Sequence, residues 1–447
     1  MKRIILSSIC IAAFAAGLAA QTPARGRGAA TPAARPAAAA AKPLDIYVLD
    51  VEGGKATFFV APSGQVVLID TGFPGARDLD RITAAAEAAG IKQIDYLITT
   101  HYHVDHTGGL LEIGKRIPVV TYVDHGPTVE QNGNAATFQA SYAEIKAKAK
   151  SIVAKPGDKL AITGLDWRIV SSAGNVIKTP LPGGGKPNAA CKDYKEKDPS
   201  YNGGLENGQS VGSVITYGQF RAVDLGDLLW NVEGQLMCPN NPIGNVDVYF
   251  ASHHGLDYSG SDALVFGLHP RVSIMQNGPR KGGAASTMFT MRSSPGMEDL
   301  WQSHFSNEAG LEENSASIFI ANVDDNATMA AILTQPARGA GAGRGGPGGG
   351  RAGAPGAPAA PGAPATPAAP AAPAAPAAPG TPAAPAASGA PGAPGGPGGP
   401  GGPGRGGPQL QNAAHVPAYW IKISAMPDGT FTVTNSRNGF SKTYVKR

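Results

Sequence analysis

Apolar residues recur along this chain in short runs, and the spacing within the runs switches between a strand-like and a helix-like period. Residues 44–51, 57–60 and 65–69 are rich in Val, Ile and Phe and are separated by Gly53-Gly54 and Pro62-Ser63-Gly64, so three short strands are expected. The Ala-rich stretch 78–89 reads as a helix that Gly90 is well placed to end. A buried strand at 94–99, a short helix at 108–116, a strand at 118–123 and a helix at 135–150 follow. The second half repeats this grammar, with strands at 159–162, 166–170, 211–217 and 220–224, a helix at 227–236, a strand at 246–251 and a helix at 261–268. A strand at 271–275, a helix at 295–303 and closing strands beginning at 317–322 complete it. Far downstream, residues 419–423 and 430–434 flank Pro427-Asp428-Gly429, a hairpin signal. Two similar halves of mixed strands and helices predict an α/β (α+β) architecture, two packed sheets with helices outside: a four-layer αββα sandwich. Residues 171–209, rich in Gly, Pro and Lys and without a clear period, read as a long loop or flap near a site.

Composition divides the chain further. Residues 336–407 contain only Ala, Gly, Pro, Arg, Thr and Ser, so they have no large apolar side chain to bury and are expected to be disordered. Because a hairpin follows, this tract reads as an insertion within one domain, with the main body at 44–335 and its last strands at 408–447. Lys2-Arg3, the apolar residues 4–16 and the small residues 17–20 have the layout of a signal peptide, with an uncleaved anchor as the alternative. Residues 21–43 form an Ala/Pro/Arg-rich linker. After residue 20 no apolar run reaches the roughly 18–20 residues of a spanning helix, so a periplasmic or secreted protein is expected. The net charge of +4 conceals an acidic body. Six basic residues precede residue 44 and four lie in 336–407, which leaves the rest at −6 and argues against a broad nucleic-acid-binding face. Cys191 and Cys238 would remain after signal removal, either bridged or as two unrelated thiols.

The informative stretch is Thr99-Thr100-His101-Tyr102-His103-Val104-Asp105-His106-Thr107-Gly108-Gly109. Three imidazoles and a carboxylate fall between a buried strand and a helix, the donor chemistry of zinc and related divalent ions. In an extended turn His101 and His103 point the same way and can bind one ion, while Asp105 and His106 on the next turn can serve a second. Two such ions polarise a substrate oxygen and activate water at neutral pH. A chance surface cluster of this pattern would arise with odds on the order of 10⁻⁴.

The string H-x-H-x-D-H resembles the signature of the metallo-β-lactamase superfamily. Asp70-Thr71-Gly72 looks like that family's turn supporting the metal loop, and Leu225-Gly226-Asp227 matches the Gly-Asp whose carboxylate bridges two metals. Ser252-His253-His254-Gly255 matches the strand end that supplies the last imidazole. The resemblance thus implies His101 and His103 for one ion, Asp105, His106 and His253 for the other, and Asp227 as the bridge. His254 would be a second-layer or substrate contact, and Asp224 is an alternative bridge. His125 is a candidate pocket residue, whereas His269, His304 and His415 have no motif around them. Many members place another His between the first motif and the bridging Asp; here none occurs from 128 to 252. The subgroup similar to the hydrolase domain of bacterial DNA-uptake proteins of the competence type (ComEC/Rec2-like) also lacks it. That subgroup has segments like Leu49-Asp50-Val51, Gly157-Asp158-Lys159-Leu160 and Glu206-Asn207-Gly208-Gln209-Ser210. Lys55 and Leu256 depart from it and argue against DNA.

The resemblance implies an exported hydrolase with two zinc ions, manganese or iron being other candidates. A metal-bound hydroxide oriented by Asp105 would attack phosphorus or carbonyl carbon, with Asn207 and Ser210 as oxyanion or substrate contacts. A phosphodiester is the first substrate class, nucleic acid being one member. A lactam, lactone or other ester is the second. A binding protein that kept the fold without turnover is the reading from another class.

Overall fold

Strand pairing in the computed structural model, which describes residues 41–199, 204–322 and 418–446, sorts the apolar runs into two nine-stranded sheets and a small two-stranded ribbon. The first sheet runs in the order 441–444, 431–435, 421–425, 44–48, 57–60, 66–69, 94–98, 119–124 and 150–153. From Val66–Ile69 to Lys150–Val153 its strands are parallel. The second sheet runs 320–322, 299–304, 272–275, 248–250, 220–224, 212–217, 166–172 and 159–160, with 175–176 paired to 166–172. Its strands from Phe220–Asp224 to Ile320–Asn322 are parallel.

Three apolar clusters show how the layers stack. Phe59, Val67, Trp167, Ile215, Phe250 and Trp301 come from both sheets and form the seam between them. Their sequence neighbours point the other way. Phe58, Leu68 and Leu97 meet the helices Ala76–Ala88, Leu110–Arg116 and Gly133–Lys146, and Val223, Tyr249 and Leu300 meet Trp230–Met237, Asp262–Leu268 and Ala285–Ser293. Helix, sheet, sheet and helix therefore follow one another, the expected four-layer αββα sandwich. Strands covered on both faces are apolar at nearly every position, which is why their runs lack alternation.

Some elements differ from expectation. Residues 299–304 are a strand, not a helix. All but the first residue of it are buried, so Leu300 and Trp301 serve opposite clusters while Pro295-Gly296 makes the preceding turn. The helix Ala285–Ser293 carries no sequence signal, because Ser, Thr and Phe are indifferent helix formers and only Thr287, Met288 and Met291 are buried. Lys150–Val153 is a largely exposed edge strand at the end of the stretch expected to be helical. The 171–209 segment holds short strands, and Cys191 is bridged to Cys238 with an S–S distance of 2.02 Å. That bridge ties the segment to the end of helix Trp230–Met237 across 47 residues, a loop-closure contribution of about 4 kcal/mol.

The expected signal (1–20), the linker as far as residue 40, the insertion 336–407, the start of the 408–447 segment and His415 lie outside the described residues. Among the described residues, no helix is long and apolar enough to cross a membrane.

Trp167 is fully buried, donates from Nε1 to Ser213 Oγ at 2.9 Å and meets the Phe59 ring edge-on at 5.1 Å. Trp167→Ala is expected to cost about 3–5 kcal/mol, read from the midpoint of chemical denaturation; a loss under about 1 kcal/mol would mean the seam is not the principal core.

Candidate metal centre

The parallel strands of both sheets end on the same rim, and each end delivers part of one cluster. Strand Val66–Ile69 ends at Asp70, strand Ile94–Ile98 leads into 99–106, strand Phe220–Asp224 into Gly226-Asp227, and strand Val248–Phe250 into His253-His254. The carboxyl ends of parallel strands are the usual place for sites in open α/β sheets. Gly226 is required at its turn: its φ is +58°, and a Cβ there would stand 2.8 Å from Thr100 Cβ.

Asp105, His106, Asp227 and His254 offer ligand atoms that all lie within 4.8 Å of one another, and all four are buried. His106 Nε2 is 3.1 Å from His254 Nε2 and 3.3 Å from both Asp105 Oδ2 and Asp227 Oδ2. His254 Nε2 is 3.0 Å from Asp105 Oδ2 and 3.3 Å from Asp227 Oδ2. Beside this group His101 Nε2 stands 3.0 Å from His103 Nδ1 and 4.0 Å from Asp227 Oδ2. Asp227 therefore lies between two sets of imidazoles, and its buried Oδ1 has no hydrogen-bond partner.

These contacts fit divalent ions. Ligands 2.0–2.1 Å from a tetrahedral zinc stand roughly 3.4 Å apart. Most of the separations above are of that size, and none of them needs a proton between donor atoms. The outward nitrogens explain why the inward ones can be lone pairs. His106 Nδ1 donates to Asp70 Oδ2 at 2.7 Å, His254 Nδ1 to the Gln276 carbonyl at 3.1 Å, and His103 Nε2 to Glu130 Oε1 at 3.3 Å. His101 Nδ1 is 3.1 Å from Thr100 Oγ1, whose own hydrogen goes to Asp70 Oδ2 at 2.7 Å, leaving its lone pairs to accept. An acceptor behind the ring fixes the tautomer and aims the other nitrogen at the metal.

The electrostatics also call for a cation. Burial alone would depress the His106 pKa, but Asp227, Asp105 and Asp70 outweigh it and raise it well above its ordinary value. Burial would raise the carboxyls of Asp105 and Asp227, yet the surrounding imidazoles outweigh it and hold both well below the usual carboxylate range. Ligand nitrogens must be free of protons to bind an ion, so affinity should fall as the pH falls.

The second imidazole of the His-His pair corrects the sequence expectation. His254, expected to stand behind the ligands or to touch substrate, is the one packed with Asp105 and His106; His253, expected there, is not in that group. Both residues are left-handed, with φ of 53° and 56°, at about 1–2 kcal/mol each. Adjacent side chains would diverge from an extended strand, and this turn re-aims them. Ser210 is also reassigned. It is fully buried, donates from Oγ to the Asn207 carbonyl at 2.8 Å and accepts from Asp227 N at 3.2 Å, so it positions Asp227 and is not open to a substrate. Asn207 is buried with Nδ2 3.5 Å from His253 Nε2. Asp224, the alternative bridge, is turned to Lys55 Nζ at 2.9 Å and Gly226 N at 3.0 Å. His125 does not line the pocket: it is buried against Glu206 Oε1 at 2.6 Å. His304 pairs with Asp50 Oδ1 at 2.6 Å, away from this centre.

Three contributors carry little or no sequence signal. Glu206 accepts from Tyr102 N, His125 Nε2, Thr128 Oγ1 and Val129 N, clamping the 125–130 loop against the metal loop. Its place in the Glu206–Ser210 stretch is the only hint. Glu130 and Lys281 have none; Lys281 Nζ contacts the Asp105 carboxylate and lies 5.2 Å from the centre of the Phe73 ring. A cavity of about 760 Å³ opens beside His103, walled by Tyr102, Val104, Phe138, Thr128, Glu130 and Asn132.

Asp70→Asn keeps the shape but weakens the acceptor shared by His106 and Thr100. Zinc affinity measured by chelator competition should fall roughly 10–100-fold with little change in the metal-free melting temperature; unchanged affinity would remove Asp70 from the centre.

Residues 50–186 match the family model of the metallo-beta-lactamase superfamily. Curated relatives match over short segments. The chain is 27% identical over 86 residues to the hydroxyacylglutathione hydrolase of Idiomarina loihiensis, covering 19% of this chain and 27% of that one. It is 30% identical over 96 residues to thioesterase pkgB of Emericella nidulans, covering 21% and 28%. The chain therefore spans less than a third of each of these curated relatives. Among solved structures, a metallo hydrolase from the archaeon Ignicoccus hospitalis is 16% identical with a TM-score of 0.34, covering 56% of this chain and 91% of that one. Over that segment, which holds Asp105 and His106 of the cluster, the chain is similar to the metallo-beta-lactamase superfamily.

Proposed function

We propose that the protein is an exported, metal-dependent hydrolase that cleaves an ester-type bond in a small substrate, a phosphodiester first. The observation that carries this reading is the buried convergence of Asp105, His106, Asp227 and His254, with His101 and His103 alongside. Divalent ions, when bound there, supply Lewis acidity and activation of water. Zinc suits the imidazole and carboxylate donors, and manganese or iron are further candidates.

The chain's own residues divide the remaining work. Asp105 is placed to orient the attacking water and take its proton. The Lys281 ammonium, beside that carboxylate, offers positive charge to an anionic substrate group. The cavity beside His103 receives the body of the substrate, with apolar surface from Tyr102, Val104 and Phe138 and a carboxylate from Glu130. A single anionic centre fits this environment better than a long polyanion, and the acidic body likewise disfavours nucleic acid. The likeness of the Glu206–Ser210 stretch to the competence-type subgroup supports a phosphodiester. The Cys191–Cys238 bridge suits an oxidising compartment, periplasmic or extracellular.

A second reading, a carboxylic ester, thioester, lactone or lactam, is favoured by the apolar wall of the cavity. The hydroxyacylglutathione hydrolase and the thioesterase among the relatives point the same way. Zinc- and manganese-loaded protein should be screened on a bis-aryl phosphodiester, single-stranded DNA, a thioester, a lactone and a β-lactam. Turnover of the bis-aryl phosphodiester, reduced at least ~10³-fold in Asp105→Ala with an unchanged melting temperature, is the expected result. Turnover of carbonyl substrates alone would select the second reading, and metal-loaded protein inert on all of them would leave a binding protein.

A further inference from the structure

The ring of His103 is held differently from its neighbours. His101 and His106 are buried, and the groups behind them, Thr100 and Asp70, are buried as well. His103 keeps 23% of its side chain exposed, and Glu130, the acceptor behind it, keeps 38%. Such a pair is worth little alone, because ordering two mobile side chains offsets their attraction. Resting on the two-metal reading, we propose that Glu206 is the positioning residue for His103. Through residues 128–130 it fixes the Glu130 carboxylate behind that ring, and so sets how tightly the ion on the His101–His103 side is held.

The first argument is the supply of donors. Glu206 is fully buried, and both of its oxygens are engaged twice. Oε1 accepts from Tyr102 N at 3.2 Å and from His125 Nε2 at 2.6 Å. Oε2 accepts from Thr128 Oγ1 at 2.8 Å and from Val129 N at 2.9 Å. A carboxylate offers about four lone-pair sites, so these donors use its whole capacity. Burial alone would raise this carboxyl, but the His125, Val129 and Thr128 donors outweigh it and hold it below its ordinary value. Glu206 is therefore ionised and acts only as an acceptor.

The second argument is where those donors sit. Tyr102 stands between His101 and His103, whose facing nitrogens are 3.0 Å apart. Val129 directly precedes Glu130, and Thr128 Oγ1 in turn accepts from Glu130 N at 3.1 Å. One buried carboxylate thus ties down the backbone on both sides of the His103–Glu130 contact, whose atoms are 3.3 Å apart. The same stretch of chain also reaches the ring directly. A Cβ on Gly204 would stand 3.4 Å from His103 Cε1 and Nε2, so the backbone entering the turn Leu205–Gln209 lies against the imidazole. Thr128 and Glu130 wall the cavity beside His103, so Glu206 sets that wall against the centre too.

Glu206→Gln is the informative substitution, because it keeps size and shape while removing the charge. Whichever way the amide turns, its NH2 faces a backbone N–H, that of Tyr102 or that of Val129. Zinc affinities of the full chain would be measured by chelator competition, and ligand fields from the visible spectrum of the cobalt-loaded protein. The wild type should bind two ions. Glu206→Gln should hold one at wild-type affinity and the other roughly 10–100-fold more weakly, with altered cobalt bands for that ion alone. Thr128→Val, a milder change on the half-exposed loop, should weaken the same ion by a smaller factor. Glu130→Gln should also weaken it, and the double variant with Glu206→Gln should bind it little more weakly than the worse single variant, because both changes break one connection. Wild-type affinity for both ions in Glu206→Gln, or single effects that add in full, would overturn the assignment. The metal-free chain gives an independent reading. In ring-nitrogen magnetic resonance spectra, His103 should be the Nε2–H tautomer in the wild type and a mixture in Glu206→Gln; an unchanged tautomer would likewise overturn the assignment. A wild type that binds fewer than two ions would overturn the two-metal reading instead, and the ring spectra would still decide the role of Glu206.

Discussion

Asp227 holds one carboxylate against imidazoles that arrive from different strand ends, and the rest of the rim is arranged around that meeting. Lone pairs gathered so closely repel one another unless a positive charge lies among them. The polypeptide must therefore hold the gathering in place before any ion arrives. It does so from behind. Asp70, Glu130, Gln276 and Ser259 each take the outer face of a ring. Asp70, Gln276 and Ser259 are in turn held by buried partners of their own, Thr100, Thr57 and the Leu228 carbonyl. The two apolar layers under the rim, and the seam between the sheets, supply the rigidity that these hydrogen bonds alone could not.

The same logic accounts for charges that lie near the centre without belonging to it. Asp224 ends the strand that leads to Asp227 and would be a competing ligand. Lys55 neutralises it at 2.9 Å, with both side chains almost wholly buried. A lysine at position 55 is a departure from the resembled subgroup, and its role here is to hold the neighbouring acid out of the metal chemistry. Arg81 does similar work further off, where Asp50 and Glu52 share it and His304 completes a closed network. A guanidinium already in place makes that second acidic cluster a structural one.

Much of this was legible in the sequence because strands buried on both faces announce themselves as apolar runs, and because a metal loop compresses four ligands into six residues. The layer order, the gathering of the 101–106 side chains and the Gly226-Asp227 turn could be read in that way. What could not be read depends on backbone geometry and on long-range pairing. The choice between His253 and His254 turns on two left-handed residues that no side-chain pattern encodes. The strand at 299–304 was hidden because Leu300 and Trp301 feed different layers, so no period of two survives. Lys281 and Glu130 meet the centre only in three dimensions, and each looks like an ordinary surface charge when read along the chain.

The strand that opens the described fold, Leu44–Val48, is paired on one side by Thr57–Val60 and on the other by Ile421–Ala425. Nearly the whole polypeptide separates the two halves of that second ladder. A ribosome would release most of this chain before the first sheet could close, and Trp301 likewise awaits Tyr444, 143 residues on, whose hydroxyl accepts its indole N–H at 3.0 Å. Closing the first sheet therefore rests on a pairing of very long sequence range, the kind of contact that forms slowly.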